Sequence, residues 1–179
     1  MISELGLFFL IISLVLSGLA GINFILNFQI KNFEIQNFFQ KRICELFFIS
    51  VFVSFSCLSY SFLTSDFSLE VVTKNTNSQL PLIYKFTGVW GNHEGSILLW
   101  LLVMSIFGYL FSKKKTGYSE FQKNVLGTQN ILCFLVCCFI VFTSNPFKKI
   151  FPPSVEGADL NPLLQDPGLV IHPPFLYLG

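Results

Sequence analysis

Residues 5–28 read LGLFFLIISLVLSGLAGINFILNF, an apolar run that contains no Asp, Glu, Lys or Arg. A helix needs ~20 such residues to cross ~30 Å of hydrocarbon. Outward from it, residues 44–63, 95–112 and 125–143 form three more runs of similar character. A fifth begins at Pro173, six residues before the last residue, Gly179. The expected fold class is therefore all-α: a polytopic membrane protein with four transmembrane helices and the start of a fifth. The connections 64–94 and 144–172 are expected as loops with short helical turns.

Composition agrees with that pattern. Of the 179 residues, 53% are hydrophobic and 12% charged, and the mean hydropathy is +0.65. A soluble domain of this size carries more polar surface. The net charge of +1 leaves no basic face for nucleic acid. The first run is expected to stay in the membrane. Glu4 is the only charge before it, it is long for a signal peptide, and no small-x-small cleavage site follows. Within it, Ser13, Ser17 and Gly21 form a stripe at i, i+4 spacing where another helix can come close. The 23 Phe suggest an AT-rich, organellar gene.

Charges on the connections give an orientation. Lys31, Lys41 and Arg42 outnumber Glu34 in the first, and Lys113, Lys114, Lys115 and Lys123 outnumber Glu120 in the third. The second and fourth are acidic on balance: Asp66, Glu70 and Glu94 face Lys74 and Lys85, while Glu156, Asp159 and Asp166 face Lys148 and Lys149. The positive-inside rule puts the first and third connections inside. The N-terminus and the two longer connections then lie on the outer side.

The five cysteines, Cys44, Cys57, Cys133, Cys137 and Cys138, include no CxxC pair and read as small packing residues. The absence of CxxCH excludes a c-type cytochrome. The outer connections hold the distinctive residues. Residues 88–96, GVWGNHEGS, place polar and glycine residues directly before an apolar helix. Asn92 or Ser96 suits its N-cap, and Glu94 suits its positive end. Trp90 belongs near the interface. His93 is open to three readings: ligand, proton carrier or structural cap.

Six of the eight prolines fall between residues 146 and 173, and Pro174 follows them. Regular structure is not expected there, although Asn161-Pro162 has the pattern that starts a helical turn over 162–165. His172 stands at the junction of this loop with the fifth helix, where Pro173 and Pro174 fit a first turn. Its imidazole is suited to haem iron as an axial ligand. A buried histidine bonded to a carbonyl is the competing reading.

Two segments carry a resemblance. Residues 90–100, WGNHEGSILLW, and residues 160–179, LNPLLQDPGLVIHPPFLYLG, resemble two motifs of the CcmF family of cytochrome c haem lyases, in the same order. The whole chain then looks like the N-terminal portion of a larger polytopic protein, either a fragment or the product of a split mitochondrial gene. The resemblance implies covalent attachment of haem to apocytochrome c on the outer face of an energy-transducing membrane. It implies haem delivery by the chaperone CcmE and reduced thiols from a CcmH-type partner. It makes His172 a haem-iron ligand, with Trp90 and His93 as secondary cofactor-binding candidates. The family's tryptophan-rich motif, its second outer histidine and its intramembrane histidines are not in these 179 residues, so remaining CcmF-like subunits would supply them. The chain alone is not expected to be active. The implied location is the mitochondrial inner membrane, or alternatively the bacterial inner membrane.

Two other readings stay open. One is a structural or proton-conducting subunit of a respiratory complex, with His93 and Glu94 at a helix mouth; against it, the spans hold no ionisable side chains deep in the bilayer apart from cysteines. The other is a paralogous haem lyase serving a different cytochrome, such as those of nitrite reduction.

Overall fold

The computed structural model describes residues 1–26, 33–114 and 120–179, with the backbone alone at 33–37, 163, 164, 167 and 169. Residues 27 and 28 of the first expected span, with Lys31 and Lys115, lie outside the described residues. Seven helices are described: α1 Ile2–Ile25, α2 Phe33–Leu63, α3 Glu70–Asn75, α4 Leu82–Gly88, α5 His93–Ser112, α6 Glu120–Phe142 and α7 Pro167–Leu178, with a 3-10 turn at Pro162–Gln165. Four of them, α1, α2 from Phe38, α5 and α6, are long and apolar enough to cross a membrane.

These four form a closed ring, in which α1 packs on α2, α2 on α5, α5 on α6 and α6 back on α1. Leu10, Phe47, Val51, Leu58, Leu98, Leu101, Cys133, Cys137 and Ile140 meet inside it. The lipid side carries Phe8, Val15, Phe52, Phe107 and Leu135, all exposed. Lipid tails are as apolar as leucine, so helices associate there by close approach rather than by escape from water. The small-residue stripe allows that approach, and Ser13, Ser17 and Gly21 are all buried. A Cβ on Gly21 would lie 3.3 Å from Ile131, and one on Gly18 would lie 3.0 Å from Phe134, both on α6.

The α2 helix contains no glycine or proline, and all its serine hydroxyls except that of Ser54 donate back to carbonyls one turn earlier, as Ser50 does to Leu46 and Ser59 to Phe55. Such back-bonding hides hydroxyls that lipid cannot satisfy. The helix stops where Ser65 turns into the left-handed region, with φ 53°. There the Asp66 amide donates to the Ser61 carbonyl at 2.9 Å, a six-to-one closure that satisfies a terminal carbonyl.

The second and fourth connections meet at one end of the ring and form a cap. The Glu70 amide donates to the Lys148 carbonyl at 2.9 Å, Ile150 to Ser68 at 3.0 Å, and Ala158 to Thr73 at 2.7 Å. Leu69, Val72, Val89, Phe147 and Leu160 are buried beneath them. Lys149 pairs with Glu4 at 2.6 Å, which places the start of α1 at the same end. At the opposite end Glu45 pairs with Arg42 at 3.0 Å and with Lys113 at 3.8 Å. The even-numbered connections thus share one end and the odd-numbered ones the other, as four crossings require.

One boundary differs from expectation. The fifth helix begins at Pro167, not Pro173. Asp166-Pro167 is the starting pair: the Gly168 amide donates to Asp166 Oδ1 at 2.8 Å and the Val170 amide to the Asp166 carbonyl at 3.0 Å. An acidic cap followed by proline suits a helix start. Pro173 and Pro174 therefore lie inside the helix. The cap also holds two short helices, α3 and α4, in the connection expected to be a loop with short helical turns.

Candidate functional site

The two motifs meet at the corner between α4 and α5. Asn92 fixes that corner. Its side chain accepts from the Gly95 amide at 2.7 Å and donates to the Gly88 and Val89 carbonyls at 2.6 and 3.2 Å. Of the two caps considered, Asn92 is the one used, since the Ser96 hydroxyl instead donates to the His93 carbonyl. Gly95 is required by packing, because a Cβ there would overlap the Val89 carbonyl. That contact is backbone, which has no rotamer in which to retreat. Glu94 enters the first turn of α5 and, with Glu70, Lys74, Asn75, Asn145 and Lys148, lines a polar cleft of about 120 Å³.

Charge in that cleft is balanced. Lys74 and, less strongly, Lys148 donate to Glu70 and hold its carboxyl at about 2, well below the ordinary carboxylate range. Further out, the Ser78 hydroxyl donates to Glu156 at 2.6 Å and the Ser78 amide at 2.9 Å. These bonds, the hydroxyl first, lower the Glu156 pKa. The buried Lys85 ammonium donates to Ser65 Oγ at 2.7 Å and to the Ser78 carbonyl at 3.1 Å. Sequence reading assigned no role to Lys85, and its apolar neighbours in α4 gave no signal of burial.

Of the three candidate residues, Trp90 is the half-buried one. Its ring meets Phe86 edge-on at 4.9 Å, and its indole N–H donates to the Val170 carbonyl at 3.0 Å. That bond joins the first motif to α7, two residues before His172. The His93 side chain is exposed, and its ring meets Phe139 of α6 edge-on at 6.0 Å. Below it, Ile97, Trp100, Leu135, Val136 and Phe139 line an open apolar groove of about 320 Å³ between α5 and α6.

His172 lies in the middle of α7, with its side chain exposed. This corrects two expectations: it is neither at a loop junction nor a buried imidazole. A helix holds it instead of a proline-pinned turn. Among the described residues, no hydrogen bond or ion pair involves the His172 imidazole, so its nitrogens are available to a ligand. No group of three or more His, Cys, Asp or Glu that could hold a metal ion occurs among the described residues. A haem needs less from the chain, because its iron is already held by porphyrin nitrogens and takes only axial ligands. One exposed imidazole on a helix fits that demand for one face.

A ring of four apolar helices, capped at one end and carrying a histidine helix against the cap, defines a polytopic membrane protein with its candidate site at the capped end. The family model described as "Cytochrome C assembly protein" matches residues 90–179, half of the chain and both motifs, and the chain belongs to that family. It is 48% identical over 128 residues, 71% of this chain, to the cytochrome c-type biogenesis protein ccl1 of Rhodobacter capsulatus, covering 20% of that protein. It is 42% identical to the cytochrome c-type biogenesis protein CycK of Rhizobium meliloti, over all of this chain and 26% of that protein. A solved structure, "Cytochrome c Heme Lyase CcmF", superposes with a TM-score of 0.81 at 21% identity, over 99% of this chain and 28% of that one. At that identity the superposition speaks for the fold. The chain spans a fifth to a quarter of the length of these curated relatives. Membership in a cytochrome c assembly family displaces the respiratory-complex reading.

Proposed function

We propose that this chain is a membrane subunit of a cytochrome c haem lyase, in which His172 ligates haem iron at the outer end for transfer to apocytochrome c. The observation that carries the reading is the exposed, unengaged imidazole on α7, inside the segment that the family model covers. Haem supplies the reactive vinyl groups and the iron. His172 would ligate the iron from a helix, which limits the positions open to the imidazole itself. Trp90, bonded to the His172 helix, and His93, against Phe139 above the apolar groove, are the secondary candidates. The α4–α5 corner and the cap keep these residues in fixed relation, so the contribution of the chain is mainly proximity and orientation.

The chain spans only part of its relatives, and completion of the site is assigned to the remaining CcmF-like portion carrying the tryptophan-rich motif, whether it belongs to the same polypeptide or to separate subunits. CcmE, a CcmH-type thiol partner and apocytochrome c are the proposed partners. The proposed location is the mitochondrial inner membrane, with the cap facing the intermembrane space. The positive-inside charge bias and the phenylalanine-rich composition support it.

The test is purification of the intact assembly with bound haem, wild type beside His172→Ala. The variant is expected to lose the axial-ligand signature in the haem absorption spectrum and more than tenfold of its attachment activity. An unchanged spectrum with undiminished attachment refutes the role of His172. The chain expressed by itself is expected to attach no haem.

A further inference from the structure

The two prolines inside α7 create a defect that the rest of the chain partly repairs. In a helix, the amide of each residue donates to the carbonyl four positions earlier. Proline has no amide hydrogen. Pro173 therefore leaves the Leu169 carbonyl without its helical donor, and Pro174 does the same to Val170. At a membrane surface a freed carbonyl must find another partner or stay unsatisfied at a cost. The Val170 carbonyl has one: the indole N–H of Trp90, 3.0 Å away and 80 residues distant in sequence.

We propose that Trp90 is the positioning residue for the His172 helix, donating the hydrogen bond that Pro174 cannot. The geometry suits a fixed anchor. Trp90 follows the last turn of α4, where its amide donates to the Thr87 carbonyl at 3.1 Å. Its ring is braced by Phe86. Val89, immediately before it, is fully buried, and Asn92, two residues on, locks the corner. On the α7 side, Asp166 caps the helix start. The segment 167–172 is thus held at both ends, by its own cap and by an indole from the other motif. This ties the tryptophan of the first motif to the histidine of the second, and it uses the proline pair as the means: with no amide hydrogen on Pro174, the indole supplies the Val170 carbonyl with the donor its own helix lacks. Only its consequence for haem rests on the proposed function; the tether itself does not.

Three variants of the intact assembly test it: Trp90→Phe, Pro174→Ala, and the two combined. Phenylalanine keeps the ring against Phe86 and removes the donor. Alanine at 174 returns an amide hydrogen to the helix, which then satisfies Val170 internally. Amide hydrogen exchange is followed in the peptide spanning 167–174, with the haem spectrum recorded alongside. Trp90→Phe is expected to speed exchange there by roughly three- to tenfold, the scale of one hydrogen bond. In the Pro174→Ala background the same change is expected to have less than about a twofold effect. Unchanged exchange in Trp90→Phe overturns the proposal, and so does an equal acceleration with or without Pro174. If the rescue appears but neither Trp90→Phe nor His172→Ala alters the haem spectrum, the tether stands and the ligand role of His172 falls.

Discussion

The helical ring and the cap above it are held by different contacts, although they share one continuous core. In the ring, helices meet through side chains and small residues, and hydroxyls such as Ser17 bond within their own helix, here to the Ser13 carbonyl at 2.8 Å. In the cap, backbone meets backbone across about 80 residues of sequence, as in the bonds Glu70 to Lys148 and Ala158 to Thr73. Carboxylates in the cap accept from amides and hydroxyls of the other connection, as Glu156 does from Ser78. The ring can deform by moving side chains toward lipid. The cap has less of this freedom, because several of its contacts join backbone atoms, which have no rotamers. A site that must hold a cofactor in register is better built on the second kind of support, and the Trp90 corner is built on it.

Substitution of glycine sharpens this contrast most strongly. A Cβ on Gly157 would overlap the Thr76 carbonyl, and one on Gly95 would overlap that of Val89. The nearest atoms to a Cβ on Gly127, in the ring, would be those of the Phe24 ring, which is half-exposed. Gly157→Ala and Gly95→Ala are each expected to cost about 3 kcal/mol and Gly127→Ala about 1 kcal/mol, read as thermal unfolding in one detergent. Equal losses at all three would break the distinction.

Loss of the α5 cap comes next. Asn92→Ala removes the acceptor for the Gly95 amide and the donor to two carbonyls. An N-cap of this type is worth about 1 kcal/mol, and the denaturation midpoint should fall accordingly. Asn92→Asp, which keeps the acceptor but not the donor, should recover part of the loss.

The smallest effect is electrostatic and confined to acid. Glu70 has a folded-state pKa of about 2 against an ordinary value of 4.5. A lowered carboxylate pKa stabilises the fold above the unfolded-state value, and that contribution disappears as pH falls toward the folded-state value. Wild type should therefore lose stability between pH 4.5 and about 2 more steeply than Glu70→Gln. The difference should shrink in high salt, because the Lys74 and Lys148 ammonium groups are largely exposed. A stability difference between the two that persists unchanged from pH 5 down to about 2 would assign the effect to another group.

Much of the ring was legible from the chain alone. The four spans follow from uninterrupted apolar length, a close helix contact (though not its partner α6) from Ser13, Ser17 and Gly21, and the α5 cap from the pair Asn92 and Ser96, of which the structure uses Asn92. The turn at Pro162–Gln165 follows from Asn161-Pro162. The cap was not legible to the same degree. The α3 and α4 helices are six and seven residues long, too short for periodicity to declare them. The start of α7 was misplaced because two adjacent prolines read as a first turn, while the Asp166-Pro167 pair carried the same signal six residues earlier. The role of Trp90 as a donor to Val170 had no local sign at all.

Sequence by itself determined that the chain crosses a membrane, which connections share an end, and which two segments carry the family's motifs. These depend on composition and short-range spacing, and solvent transfer acts on them residue by residue. Tertiary structure alone decided that His172 is exposed within a helix, that Lys85 is buried, and that an indole completes a helix broken by proline. The last of these turns on a backbone carbonyl lying 3.0 Å from a side chain of another connection, and a hydrogen bond at that range is too short and too directional for spacing along the chain to reveal.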